Sequence, residues 1–315
     1  MAESMNIAIV GAAGKMGSWF AALLHGQGHD LLLVDTRRGE VERLAGSMER
    51  CRVGQPADAG GADVVIIAVP VDAVEPAMRE LSAYVREGQA VIDLSSLKGA
   101  PQRAAEKHLP RVVFLGVHPM FGAGADGLAG HNVILTPVGE RSRDLAARVQ
   151  RYVEPQGAHV VTMSPDEHDE VMAVVLLIPA LVVAVVARTI LDTGRLAEAR
   201  EVSGTSLEVL MALTESMLGV GSSLYSTLLA ALPAAPSVAS ALELSAAHFS
   251  RLVRDGDRDG LLEEFNTLGR ELGSVDRRAS DAYGRMYAML EALQRYPTTP
   301  RPKAGAEDPQ PPSTC

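Results

Sequence analysis

Cysteine, lysine and positive charge are scarce in this chain of 315 residues. Two cysteines, Cys51 and Cys315, make neither a disulfide framework nor a zinc-ligand set, so no metal is expected and a reducing compartment fits. Lys and Arg total 29 against 39 Asp and Glu, a formal charge of −10. A chain this acidic lacks the basic footprint that neutralising phosphates demands, which argues against a nucleic-acid partner. The first residues, Met-Ala-Glu-Ser-Met-Asn, put an acid where a secretory signal needs basic residues, and the apolar run that follows is only strand-length. A cytoplasmic location is the reading.

Long hydrophobic runs are also missing, with one exception. Val171 to Ala187 holds no charge, but at ~1.5 Å per residue it reaches only ~25 Å, short of a ~30 Å hydrocarbon core. Pro179 is expected to interrupt it, and Asp166, Glu167, Asp169 and Glu170 precede it. It is read as a buried helix covered by a second subunit, not as a membrane span.

The length suits two domains. Short apolar runs at 5–10, 31–34, 64–69, 90–94, 112–117, 133–137 and 159–161 alternate with amphipathic stretches up to Gly26 and over 39–49, 72–85, 101–108 and 141–153. Such alternation predicts an α/β domain over residues 1–163, with a Rossmann-type, doubly wound, mostly parallel sheet covered on both faces. After 163 the strand signals stop. Ser164-Pro165-Asp166-Glu167 reads as a capped helix start. Helical periodicity then continues to 297, with breaks near Gly194, Gly204, 219–221 and 233–236, an all-helical domain suited to dimerisation. Six prolines fall after residue 296, so 298–315 is expected to be a disordered tail.

Four strand ends carry the chemistry. Gly11-Ala12-Ala13-Gly14-Lys15-Met16-Gly17 lies between a strand and a helix, where glycines allow a tight turn and close approach of a pyrophosphate to the helix N-terminus. Asp35 ends the next strand, placed to accept ribose hydroxyls. With Thr36, these positions predict NAD as cofactor, while Arg37 and the adjacent Arg38 leave NADP open. Val69-Pro70 closes a later strand on the same ligand-facing edge. Ser95, Ser96 and Lys98 follow another, where two hydroxyls and an ammonium can hold a polar substrate or merely form a solvated turn. Gly116-Val117-His118-Pro119-Met120-Phe121-Gly122 follows the strand 112–117, and His118 is the candidate proton acceptor.

These runs, with Glu167-His168-Asp169 before Met172-Ala173-Val174-Val175, occur in the order seen in prephenate dehydrogenases, which include arogenate dehydrogenases. The resemblance covers about residues 5–295, and the helical second half looks most like the archaeal-type branch. It implies a dimer that oxidises a cyclohexadienyl substrate with NAD(P). The histidine matching His118 takes the ring hydroxyl proton as hydride leaves, carbon dioxide is lost and the ring becomes aromatic. A serine matching Ser96 hydrogen-bonds both the hydroxyl and the histidine. Met120, Phe121 and Gly122 match the substrate-facing run. His168-Asp169 reads as structural, with the acid a partner for the dipole of its own helix.

One departure affects the substrate. Where the family carries a Gln and a His four residues apart, this chain has Leu176 and Ala180. A site built to pair a polar group rejects analogues by the cost of unpaired partners. Either the substrate's charges are met elsewhere, with Arg188, Arg195 and Arg200 candidates by location, or the substrate differs. 4-Amino-4-deoxyprephenate, an antibiotic precursor, is the alternative, with Glu208 a partner for its amine. A catalytically silent cofactor-binding dimer is a further reading. A β-hydroxyacid dehydrogenase is disfavoured by the lack of any Lys between 107 and 303, where relatives of that class place a catalytic lysine.

Overall fold

The computed structural model describes residues 4–220 and 222–295. The expected tail lies outside these residues. Eight strands form one sheet: β1 (Asn6–Val10), β2 (Asp30–Val34), β3 (Cys51–Val53), β4 (Val64–Ile67), β5 (Ala90–Asp93), β6 (Val113–Pro119), β7 (Asn132–Thr136) and β8 (His159–Thr162). Their order is β3-β2-β1-β4-β5-β6-β7-β8. All neighbours pair in parallel except β6 and β7, where His118 lies opposite Ile134. β3 is a strand the apolar pattern did not predict. Its Cys-Arg-Val is only half-buried beside β2.

The strand sequences are apolar throughout because both faces are covered. On β1, Ile7 and Ile9 pack toward Ala21 and Leu24 of helix α1 (Lys15–Gly26). Ala8 and Val10 pack in the opposite layer, with Val74, Met78 and Leu81 of α3 (Val71–Leu81) and Ala104 and Ala105 of α4 (Gly99–His108). α2 (Arg38–Gly46) and α5 (Glu140–Val153) send Val41, Leu145 and Ala146 into the first layer. The alternation of period two, hidden in an all-apolar run, thus divides one strand between two cores.

Strands end at Thr162, and α6 (Pro165–Met172) begins on the expected capping box: Ser164 Oγ accepts from Glu167 N–H, and the Glu167 carboxylate accepts from Ser164 N–H. The helix does not break at Pro179. Residues Ala173–Leu177 widen into a π turn, and α7 (Ile178–Thr193) continues the same rod, one helix of 29 residues from Pro165. In a regular helix the ring of Pro179 collides with the carbonyl of Val175, and the wider turn takes that carbonyl out of α register. Its most apolar stretch is only 28% buried, less than a core helix requires, so the expected burial is not met within the single chain.

The remaining helices are α8 (Leu196–Glu201), α9 (Thr205–Val220), α10 (Ser222–Ala231), α11 (Ala235–Asp255), α12 (Arg258–Val275) and α13 (Ala282–Arg295). The chain forms two compact units. One holds the sheet, the helices through Ala180 and the segment Gly221–Leu242; the other holds Leu181–Val220 and the helices beyond Leu242. In the second unit α9 packs on α13, while α12 leaves Leu262, Phe265, Leu272 and Val275 more than half exposed.

Candidate active site

The parallel strands β1, β4, β5 and β6 end on the same edge of the sheet, and the order reverses between β1 and β4, the place where doubly wound sheets bind ligands. The glycine turn leaves β1 there. Gly11 has φ +86°, and a Cβ on it would lie 2.7 Å from the Ala68 carbonyl oxygen and 2.8 Å from Val69 Cγ1. Val69 therefore forms the floor of the turn, and the exposed Pro70 caps α3 beside it. A Cβ on Gly17 would lie 2.1 Å from the Gly11 carbonyl oxygen, so only glycine lets α1 approach its own turn. Gly14 is the N-cap of α1 and provides no side-chain cap. The first N–H groups of that helix are thus not capped by its side chain, the arrangement a pyrophosphate requires. Lys15 is exposed and Met16 half-buried in the first turn of α1.

Asp35 reaches back to this turn and accepts from the Ala13 N–H at 2.9 Å. It also accepts from the Arg37 N–H at 2.9 Å and from the Arg37 guanidinium at 3.3 Å. Burial pushes its carboxyl up, but these bonds prevail and hold it below the usual carboxylate range. Arg37 also pairs with Glu40, and Thr36 is exposed. The cradle of glycines, the helix N-terminus and an ionised Asp35 fit a dinucleotide with free ribose hydroxyls.

The β5 end is more closed than expected. Lys98 is fully buried, its Nζ 2.5 Å from Asp93 Oδ2 and 3.0 Å from the Asp93 carbonyl, with neither side chain exposed. Its ammonium is committed to Asp93 and does not face a substrate. Burial pushes its pKa down, against the pull of Asp93. Gly116 makes room for the stem, since a Cβ there would lie 2.7 Å from Lys98 Cδ. Ser95 is buried too: its hydroxyl donates to Asp93 at 2.8 Å and lies 3.0 Å from the Leu97 carbonyl, so it closes the turn. Ser96 is partly exposed and does not hydrogen-bond to His118 in this structure.

His118 stands one residue before the end of β6, 5% exposed. Its Nδ1 lies 2.9 Å from Nε2 of His168, and His168 Nδ1 lies 2.8 Å from Asp169 Oδ1. The sequence reading of His168-Asp169 is corrected here. Asp169 accepts from the backbone N–H of Lys98 and of Gly99, both at 2.9 Å. It therefore caps the N-terminus of α4, not that of its own helix. Burial pushes its carboxyl up, but His168 and the two backbone donors hold it below the usual range. His118 lies well below its ordinary value, first through burial and then through the positive charge of Lys98. It is neutral at neutral pH and therefore able to accept a proton.

Beyond His118, the Met120 N–H donates to the Asn132 carbonyl. Phe121 packs between Trp19 of α1 and His131, with ring centroids 4.9 and 4.8 Å away, and so acts as a wall element. Trp19 Nε1 donates to the Ala125 carbonyl, tying the 120–131 loop to α1. Gly122 is exposed. Leu176 is half-buried in the π turn and Ala180 is 6% exposed. In the second unit, Arg188 pairs with Asp192, and Arg200 pairs with Glu215 and with Glu208 at 3.8 Å. Arg195 is the N-cap residue of α8. No group of three or more metal-ligating side chains occurs among the described residues.

Comparison with known proteins agrees with this geometry. Residues 20–162 match the family model of the prephenate dehydrogenase nucleotide-binding domain. A protein of Methanocaldococcus jannaschii, named a probable arogenate/prephenate dehydrogenase, is 25% identical over 289 residues, 88% of this chain; the chain spans 63% of that relative's length. A 4-amino-4-deoxyprephenate dehydrogenase of Streptomyces pristinaespiralis is 28% identical over 294 residues, 90% of this chain and 96% of the relative. Among solved structures, a prephenate dehydrogenase from A. aeolicus, in complex with hydroxyphenyl propionate and NAD+, superposes with a TM-score of 0.71. It is 22% identical, covers 88% of this chain and 99% of its own, and shares the fold.

Proposed function

We propose that this chain, whose residues 20–162 match the prephenate dehydrogenase nucleotide-binding domain, catalyses the NAD-dependent oxidative decarboxylation of a prephenate-type cyclohexadiene to an aromatic product. The observation that carries the reading is His118. It is a neutral imidazole at the carboxyl end of β6, on the sheet edge that also carries the glycine turn, with its Nδ1 held by a buried partner.

The cofactor supplies a hydride acceptor when bound. Gly11, Ala13, Gly14, Lys15, Met16 and Gly17 would hold its pyrophosphate, and Asp35 with Thr36 and Arg37 its adenine ribose, near Val69 and Pro70. His118 Nε2 takes the proton of the ring hydroxyl. The C–H bonding pair leaves that carbon as hydride, and the carboxylate on the quaternary carbon departs as carbon dioxide, leaving its electron pair in the ring. Aromatisation drives the step, so the protein contributes mainly position and one base. Ser96 lies on the turn after β5, where a partly exposed hydroxyl can bond the substrate oxygen. Met120, Phe121 and Gly122 border the ring.

Two observations favour 4-amino-4-deoxyprephenate as a second substrate reading. The Streptomyces relative matches this chain over almost its full length, and Leu176 and Ala180 leave apolar surface where the resemblance implies polar partners. We further propose a homodimer through the helical region. Exposed apolar residues on the long helix (Val174, Val185, Leu191) and on α12 support a protein partner. A membrane does not fit: the same helix begins with His168 and Asp169 packed against β6 and α4. The domain division at 163/164 is proposed as a functional one, with cofactor before it and dimerisation after.

The test is purified protein with NAD, then NADP, against prephenate, arogenate and the amino analogue, following reduced cofactor. Turnover of one cyclohexadiene with NAD is expected. Cofactor binding with no turnover on any of the three would overturn the proposal in favour of a silent binding dimer.

A further inference from the structure

The proton inventory around His118 is fixed by groups that never reach the substrate. Asp169 is ionised, held so by two backbone N–H donors, and a carboxylate only accepts. The Nδ1 of His168 facing it at 2.8 Å must therefore carry hydrogen. A neutral His168 then has a bare lone pair on Nε2, which faces the Nδ1 of His118 at 2.9 Å. That bond exists only if His118 carries its hydrogen on Nδ1. The remaining lone pair then sits on His118 Nε2, the atom not engaged within the protein.

We infer that Asp169 and His168 are positioning residues that lock His118 in the Nδ1–H tautomer, so that its Nε2 is always a base. This deepens the role assigned to His118 above and rests on it. His168 is completely buried, and Asp169 accepts from the N–H groups of Lys98, the N-cap of α4, and of Gly99, its first residue, which hold the carboxylate against the ring. When Nε2 gains the substrate proton, the new imidazolium strengthens its Nδ1–H bond to His168, whose far side rests on a carboxylate. The positive charge is thus met by Asp169 across one intervening ring, although Lys98 lies on the opposing side of the balance. The pattern extends the carboxylate–histidine pair of hydrolases by one imidazole. It also explains two adjacent polar residues buried at the start of an otherwise apolar helix.

The decisive measurement is the tautomeric state itself. Long-range proton–nitrogen correlation spectra of protein labelled at its histidine nitrogens, with His118 identified by the signals lost in His118→Asn, are expected to show Nδ1–H and a bare Nε2 on both His118 and His168. A proton on Nε2 of His118 would overturn the inference. In Asp169→Asn the side-chain amide can donate to His168 Nδ1, which reverses both tautomers. The expected result is a kcat lower by about 10²- to 10⁴-fold, with NAD affinity and substrate KM within about 3-fold. A kcat unchanged in a folded Asp169→Asn would contradict the inference. If that variant fails to fold, the wild-type spectrum still decides. If instead no cyclohexadiene is turned over while the spectrum is as expected, the lock stands and the proposed reaction falls.

Discussion

Replacing Lys98 by Met tests how the centre of the site is held together. The ammonium and the Asp93 carboxylate are both wholly buried and 2.5 Å apart. Met fills a similar volume but leaves a carboxylate without its counter-charge. Breaking a buried pair from one side costs about 3–5 kcal/mol, because the surviving charge stays desolvated. Asp93 keeps two donors, the Ser95 hydroxyl at 2.8 Å and the Ser95 N–H at 3.2 Å, which places the expected loss near the low end, about 3 kcal/mol. At about 2–4 °C per kcal/mol for domains of this size, the melting temperature should fall by roughly 6–12 °C. Asp93→Asn/Lys98→Met removes both charges while keeping a side chain that accepts from Ser95, and is expected to lose only about half as much. Thermal and urea unfolding of the wild type, both single variants and the double variant closes the cycle. A Lys98→Met loss under about 1 kcal/mol, or a double variant worse than the single, would refute the buried-pair argument.

Three further outcomes follow from the same geometry. Because His118 lies below its ordinary value, kcat/KM should hold steady as pH falls from 7.5 to 6.5 and drop only at lower pH; a loss centred at or above 6.5 would contradict the assignment. The same shift has a linkage sign: the unfolded chain binds the proton that folded His118 refuses, so its contribution to stability is complete above about pH 6.5 and diminishes as pH falls toward the lowered folded value. Asp35→Ala should weaken NAD use by roughly 10- to 100-fold through the loss of charge-assisted bonds and raise the NADP/NAD ratio of kcat/KM, since Arg37 is released from the carboxylate; an unchanged ratio would place the ribose elsewhere. The proposed dimer predicts that the wild type sediments as two copies and that Phe265→Asp on the exposed face of α12 shifts it toward one; a monomeric wild type would contradict the proposal, and an unaltered dimer would move the interface to another face.

The sheet was legible because its strands are short apolar runs between turn residues, and because Gly11 and Gly17 occupy places where a Cβ has no room. β3 escaped because Cys51-Arg52-Val53 is too short and mixed to carry a period. Pro179 misled for a physical reason: a π turn absorbs the collision that would end an ordinary helix. At the site, residues adjacent in sequence could be read, while those meeting across fifty positions could not. Lys98 read as an ammonium that either holds a substrate or belongs to a solvated serine turn, and only the fold shows it buried against Asp93. His168 left one usable trace. It is spaced four residues before Met172, an inward-facing apolar position, which marks the buried side of α6; nothing local says that this side meets β6.

The central claim is that the Nε2 of His118 removes the substrate proton. Single-turnover formation of reduced cofactor by His118→Asn, with NAD binding measured separately, addresses it directly. The expected result is a rate about 10²- to 10⁴-fold below wild type with NAD affinity preserved. A rate within a few fold of wild type would show that another group takes the proton.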